Sequence, residues 1–136
     1  MPITYTVHNK GRFVHAIASG MVADDDLVDY ETAFANDDRI TLSSDVVFEI
    51  KPDSIVTITD NGVLKAIKHK KNPAKKAKSY RFAIVTSGID GQIWDMAQFY
   101  KIMMNKLKFP GVIALVFLSL RVAKKWLGIE DNSVCI

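Results

Sequence analysis

The side chains best suited to recognition chemistry form a basic stretch that contains no acid. Residues 61–89 carry seven lysines and Arg81 but no Asp or Glu, whereas acidic side chains are concentrated between Asp24 and Asp53. Such an asymmetry produces a one-sided electrostatic field that attracts phosphate groups, acidic proteins or anionic membranes. We therefore predict a patch for an acidic partner surface, with a solvated helix end and loop as the alternative. Its residues are Lys65, Lys68, Lys71, Lys75 and Lys76.

The same stretch is poor in the side chains that read nucleic acid. Aromatic residues are scarce in it, and Arg81 is its single arginine. Stacking platforms for bases and bidentate donors for base edges are therefore few. We predict no nucleic-acid partner.

No set of residues has the spacing of a metal centre or of a catalytic apparatus. The histidines, His8, His15 and His69, show no HxH, HExxH or Cys–His spacing, so a zinc site is not expected. The acidic run at residues 24–26 is more typical of the first turn of a helix, where carboxylates accept from unpaired N–H groups, than of a metal site. The serines lack a GxSxG elbow, and no nucleophile, base and charge stabiliser come together. We predict a non-catalytic protein with no cofactor and no metal.

A second candidate for binding is the segment QIWDMAQFYKIMMNKLK, residues 92–108. Its apolar residues recur at helical spacing, but Trp94, Phe99 and Ile102 lie off the main stripe and make the apolar face unusually wide. Exposed apolar surface is typical of a ligand pocket or a subunit contact, while core packing is the alternative. The predicted residues of this non-polar pocket or homodimer face are Trp94, Phe99, Tyr100, Ile102, Met103 and Trp126.

These residues must be positioned by strands and helices that alternate along the chain. ITYTVH and RFVHAIASG predict a hairpin joined by the turn NKG. Helices are predicted at ADDDLVDYETAFAND, DNGVLKAIKHKK, residues 92–108 and SLRVAKKWLG; strands are predicted at DVVFEI, SYRFAIVTS and PGVIALVF, with SIVTI as a short edge strand or an extended connection. This order favours parallel pairing through right-handed crossovers. The predicted fold is α/β, a single domain over residues 1–136 with a mixed, mostly parallel sheet of about five strands and an N-terminal β-hairpin.

Composition agrees with a compact domain of the cytoplasm. The chain has 136 residues, of which 49% are hydrophobic and 24% charged, and its formal net charge is +3, as suits a globular core. The single cysteine, Cys135, cannot form an internal disulfide and fits a reducing compartment. The first residues lack the pattern of a signal peptide, and the longest apolar run, GVIALVFL, is too short to cross a bilayer. We expect a cytoplasmic protein that is not integral to the membrane.

The ordered set of ASGMVADDDLVDYETAF, RFAIVTSG and VIALVFLSLRVAKKWLG resembles the SpoIIAA-like family of STAS domains, which are related to anti-sigma-factor antagonists. The resemblance covers roughly residues 3–128. It implies a mixed sheet wound with helices into a (β/α) superhelix. It also implies a small binding domain that carries a non-polar ligand.

The resemblance further implies the position of a switch. Antagonists of that kind carry a serine in an Asp-Ser-Gly turn before a helix, and a partner kinase phosphorylates this serine. The matching segment here is TDNGVL, where Asn61 stands at the serine position, and an amide does not accept phosphate. We therefore predict a non-catalytic STAS-like binding module for a non-polar small molecule or a protein partner. The alternative is a phosphorylation-switched regulatory antagonist with Thr59 or Ser54 as the acceptor.

Overall fold

The computed structural model describes residues 2–41, 44–70, 80–89, 91–107 and 112–129. Seven strands and four α-helices lie in this part of the chain. The strands are β1 (Ile3–His8), β2 (Phe13–Ala18), β3 (Met21–Val22), β4 (Asp45–Ile50), β5 (Ile55–Val56), β6 (Tyr80–Val85) and β7 (Val112–Phe117). The helices are α1 (Asp24–Ala35), α2 (Asp60–Lys70), α3 (Gly91–Leu107) and α4 (Leu120–Trp126).

Five strands form one mixed sheet in the order β1-β2-β4-β6-β7. β1 pairs antiparallel with β2, and each later neighbour pairs in parallel. The predicted α/β fold with a five-stranded sheet and an N-terminal hairpin is confirmed. The sequence did not predict β3, which pairs in parallel with β5 as a separate two-stranded sheet, because two residues are too few to show a periodicity.

The hairpin turn lies where the sequence predicts it, at Asn9–Gly11. Three consecutive residues have a left-handed backbone, with φ of 50° at Asn9, 56° at Lys10 and 89° at Gly11. A Cβ at Gly11 would overlap the carbonyl oxygen of Arg39. The last turn position therefore requires glycine for both its backbone conformation and its close packing.

Three helices cover one face of the sheet and the fourth covers the other. The larger core cluster joins Leu27 of α1, Ile67 of α2 and Tyr100 of α3 to sheet residues such as Phe48. The smaller cluster joins Ala123 of α4 to sheet residues that include Val47 and Ala83. Adjacent residues of a strand fall into different clusters because successive side chains point to opposite faces. Because helices cover both faces of the sheet, its central strands carry apolar side chains on both faces.

Helix α3 buries much of the wide apolar face that the sequence shows. Its side chains at Met96, Ala97, Tyr100 and Met104 are buried, and Ile93, Phe99 and Met103 pack at the margin of the larger core cluster. The Tyr100 hydroxyl donates to Glu31 Oε1 at 2.7 Å, and both side chains are fully buried. Core packing thus accounts for most of the apolar residues of α3.

Helix α4 begins and ends as its sequence predicts and is fastened by one arginine. The Ser119 hydroxyl accepts from the N–H of Val122 at 3.4 Å, and Gly128 has a φ of 73° after the last turn. The Arg81 guanidinium donates to Asp45 Oδ2 at 2.9 Å. It also donates to the carbonyl oxygens at the C-terminal end of α4, at 2.7 Å and 3.1 Å. One cation on β6 therefore satisfies orphan carbonyls of α4 and holds the helix against the sheet.

A histidine on the α4 face makes stability depend on pH. Nε2 of His15 lies 2.9 Å from Oε1 of Glu49. Burial lowers the pKa of His15 from its usual value of 6.5, against the opposing effect of the hydrogen bond with Glu49. Because the folded-state pKa is the lower one, the unfolded chain binds more protons once the pH falls below 6.5. The free energy of unfolding should therefore decrease as the pH falls through that value.

His15→Gln should make this dependence on pH less steep, because glutamine does not titrate. The measurement is urea denaturation of both proteins across a pH series from neutral to mildly acidic. A variant that keeps the full slope would show that another group is responsible.

Candidate functional site

The parallel strands β2, β4, β6 and β7 all end at one edge of the sheet, which we call the carboxyl edge. Its connections span residues 19–23, 51–59, 86–89 and 118–119, and the four helices begin there. In open α/β sheets, ligands bind outside the carboxyl ends of the strands. The carboxyl edge is therefore the first place to look for a binding site.

Two large aliphatic side chains lie side by side on the carboxyl edge. Met21 of β3 is the direct partner of Ile55 of β5, and their side chains are 73% and 60% exposed. The next residues, Val22 and Val56, are buried. Backbone bonds flank the pair, from the N–H of Ile55 to the Gly20 carbonyl and from the N–H of Thr57 to the Val22 carbonyl, both at 2.8 Å. The exposed pair thus lies on hydrogen-bonded strands anchored in the core.

A carboxylate on α1 joins the starts of α1 and α2. Asp24 Oδ1 accepts from the backbone N–H of Thr59 at 2.6 Å, and Oδ2 accepts from the Thr59 hydroxyl at 2.7 Å. The same hydroxyl accepts from the N–H of Gly62 at 3.1 Å, so Thr59 acts as the N-cap of α2. The capping that the sequence assigns to the acidic run is performed by Asp26, whose Oδ2 accepts from the N–H of Ala23 at 2.8 Å. Asp24 is left to bridge the two helices.

Gly62→Ala tests how closely the two helices approach. A Cβ at Gly62 would overlap the Asp24 carboxylate, so the carboxylate must shift and weaken its bonds to Thr59. Overpacking of this kind costs about 1–3 kcal/mol, which outweighs the gain in helix propensity of roughly 1 kcal/mol. We expect a net loss of stability of up to about 2 kcal/mol in urea denaturation. Gly88→Ala is the control, because nothing lies within 4 Å of a Cβ there; equal stability of the two variants would contradict the close approach.

A groove of about 520 Å³ runs between the two helices. Its lining residues include Asp24 and Asp25 of α1 and Lys65 and Lys68 of α2. Asn61, at the predicted switch position, is exposed and also lines this groove. The structure therefore brings Asn61 together with two of the predicted basic residues. The predicted residues Lys71, Lys75 and Lys76 lie outside the described residues.

The predicted non-polar site is divided between the two faces of the sheet. Helix α3 packs in the larger core cluster, whereas Trp126 packs at the margin of the smaller one, with its ring centroid 5.3 Å from that of Phe117. Trp126 and α3 therefore do not line a common pocket. Within α3, Tyr100 is fully buried, Trp94 is half-buried and Ile102 is exposed. The homodimer contact through α3 stays a prediction.

The hydroxyls considered as acceptors of phosphate lie in different surroundings. Ser54 is buried and donates to the carbonyl oxygen of Ala18 at 3.0 Å, whereas Thr59 is exposed. His15 and Glu49 lie on the α4 face, opposite the larger core cluster, so this imidazole does not serve Thr59 as a base. Among the described residues, no group of three or more His, Cys, Asp or Glu side chains is placed to hold a metal ion.

No family model, no curated protein and no solved structure matches this chain. Of the helices in the described part of the chain, none has the length and apolar character needed to span a membrane. The geometry of the carboxyl edge is therefore the main guide to what the protein binds.

Proposed function

We propose that this protein is a non-catalytic binding module that docks a protein partner on its carboxyl edge through Met21 and Ile55. The observation that carries the proposal is the pair of exposed aliphatic side chains on directly paired strands. Desolvating adjacent apolar groups at the centre of a contact contributes much of the affinity of protein interfaces. Because backbone bonds already fix the two strands, little backbone entropy is lost when a partner covers the pair.

A protein suits this surface better than a non-polar small molecule does. Small apolar ligands bind in concave pockets that enclose most of their area, whereas Met21 and Ile55 lie on an open edge. The groove beside α2 carries both signs of charge, with Asp25 and Lys68 among its lining residues. Complementary charges on the partner would fix its orientation more than they would raise its affinity. The proposed module acts in the cytoplasm, in keeping with the lone Cys135.

Kinship with STAS domains is part of the same proposal. The order of elements supports it, as do Asp60 and Gly62, which match the Asp-Ser-Gly turn and lie in the first turn of α2. Partner binding near the start of that helix is also what the resemblance implies.

One observation favours phosphorylation-switched antagonism as a second candidate. The exposed Thr59 hydroxyl caps α2 next to Asn61 and bonds to Asp24. A phosphate on Thr59 would add about two negative charges beside that carboxylate and would separate the two helices. Peptide mapping of the protein isolated from its own cells tests this candidate. Phosphate on Thr59 would support it, and an unmodified Thr59 under all growth conditions would oppose it.

Photocrosslinking tests the main proposal. A photoreactive amino acid is placed at Ile55 and, in a control protein, at the exposed position Thr4 of β1. The proposal predicts one protein crosslinked at position 55 and absent at position 4. The crosslinked protein is then produced pure and must bind the unmodified chain directly. Crosslinks that are the same at both positions, or a purified candidate that does not bind, would count against the proposal.

A further inference from the structure

The α4 face carries a second apolar surface, located where β7 extends beyond α4. Ile113 and Leu115 of β7 are 53% and 39% exposed, and they point to the α4 face because they pair with Arg81 and Ala83 of β6. Val122, also exposed, lies one helical turn before Trp126, and the Trp126 ring packs on Phe117 of β7. This side of α4 therefore faces β7. We call the surface made by Ile113, Leu115 and Val122 the β7–α4 step, with β7 as its floor and α4 as its wall.

β7 is the last strand of the sheet, and a side chain covers the centre of its unpaired side. The Ala114 N–H donates to Asn105 Oδ1 at 2.8 Å, and Asn105 Nδ2 donates to the Ala114 carbonyl oxygen at 3.0 Å. Asn105 thus takes both backbone groups that Ala114 would offer to an added strand, which is a way to protect an edge strand from pairing. Pairing with a further strand is therefore hindered at the centre of β7, whereas the α4 face of β7 stays exposed at Ile113 and Leu115.

Charge restricts the chemistry of that partner. Residues 96–129 contain six Lys and Arg residues and no Asp or Glu. Arg121 and Lys125 of α4 are exposed, as is Lys106 near the end of α3. A second copy of this chain would bring like charges together, whereas an acidic surface would complement them.

We propose that the β7–α4 step binds an acidic amphipathic helix of a partner protein. An α-helix is about 10–12 Å across, so a helix that lies on the α4 face of β7 beside α4 can reach both Ile113 and Leu115. The apolar side of the helix covers these two residues and Val122. Glutamate or aspartate at its flanks pairs with Arg121 and Lys125. This surface is separate from the carboxyl edge and does not depend on it.

The test uses a fluorescent helical peptide of about 18 residues, with a leucine stripe flanked by glutamates. Binding to the full chain is followed by fluorescence anisotropy. We expect the Ile113→Thr, Leu115→Thr double variant, which keeps strand propensity, to bind at least about tenfold more weakly. The Met21→Thr, Ile55→Thr double variant is the matched control and should stay within about twofold of the wild type. Thermal unfolding confirms that both variants are folded.

A peptide with lysine in place of each glutamate should bind at least about tenfold more weakly than the acidic peptide, and Arg121→Glu with Lys125→Glu should reverse this preference. Equal binding of both peptides, or no effect of the β7 substitutions, would overturn the proposal. It would also be overturned if phosphatidylserine vesicles, and not the acidic peptide, bound in a way that depends on Ile113 and Leu115. A dimer in sedimentation that the β7 substitutions dissolve would assign the step to a second copy and would equally overturn it.

Discussion

Replacing Tyr100 by alanine is expected to lower the free energy of unfolding by about 3–5 kcal/mol. The ring lies edge-on to those of Phe82 and Phe48, with centroids 5.2 Å and 6.0 Å away, and none of the side chain is exposed. The substitution leaves a large cavity and removes the donor that bonds to the buried Glu31 carboxylate. Tyr100→Phe keeps the ring and loses only the hydroxyl, for an expected cost of about 1–3 kcal/mol. Urea denaturation followed by circular dichroism measures both values.

Ile102→Ala provides the control for Tyr100 on the same helix. Ile102 is 46% exposed and packs little, so its loss should cost under about 1 kcal/mol. If Tyr100→Ala were as mild as Ile102→Ala, α3 would not be packed as the structure shows. The apolar face of α3 would then be free for the ligand that its sequence suggests.

Arg81→Met should cost about 2 kcal/mol and loosen α4. Methionine retains the apolar stem but removes the hydrogen bonds to Asp45 and to the last carbonyls of α4. The guanidinium also lies 5.8 Å from the centre of the Trp126 ring. Methionine carries no charge and cannot make this cation–π interaction. The Arg81 side chain is 40% exposed, so solvent screens the ion pair and keeps the cost below that of a fully buried one.

Arg39→Met is the matched control for Arg81. Arg39 also pairs with an aspartate, Asp37, at 2.7 Å, but its side chain is 67% exposed. Solvent screens a pair whose cation is this exposed, so the pair contributes little to stability. We expect a clear difference in denaturation midpoint, and hydrogen exchange in Arg81→Met should speed up mainly in α4. Equal effects of the two variants would show that Arg81 does not hold α4.

The elements of the fold follow from local patterns in the sequence. Hydrophobic periodicity and turn residues predict the hairpin, the strands and the helices, and Ser119 and Gly128 mark the bounds of α4. What the pattern of α3 did not show is how much the sheet could cover. Phe99 and Met103 lie beside the fully buried stripe but still pack at the margin of the core. A long helix on a sheet makes contacts through the side chains that flank its buried stripe as well as through the stripe itself.

The candidate site could be predicted only in part. Asn61 and Lys65 were identified from composition and resemblance, and the structure places both beside one groove. The sequence did not identify Met21 and Ile55 as site residues. They come together only because two strands of two residues each pair in the fold, and the paired residues are 34 positions apart in the sequence. The sequence also did not predict the hydrogen bond between the Asn105 side chain and the Ala114 backbone. A polar residue near the end of a helix gives no local indication of a backbone partner on a strand.

The most direct test of partner binding at the carboxyl edge is titration calorimetry with the protein identified by crosslinking at position 55. The chain is compared with its Met21→Thr, Ile55→Thr double variant and with Ile102→Thr, which alters the exposed aliphatic residue of α3. We predict that the double variant binds at least about tenfold more weakly, while Ile102→Thr binds within about twofold of the wild type. Wild-type affinity in the double variant, with loss of binding in Ile102→Thr, would contradict the proposal and move the site to α3.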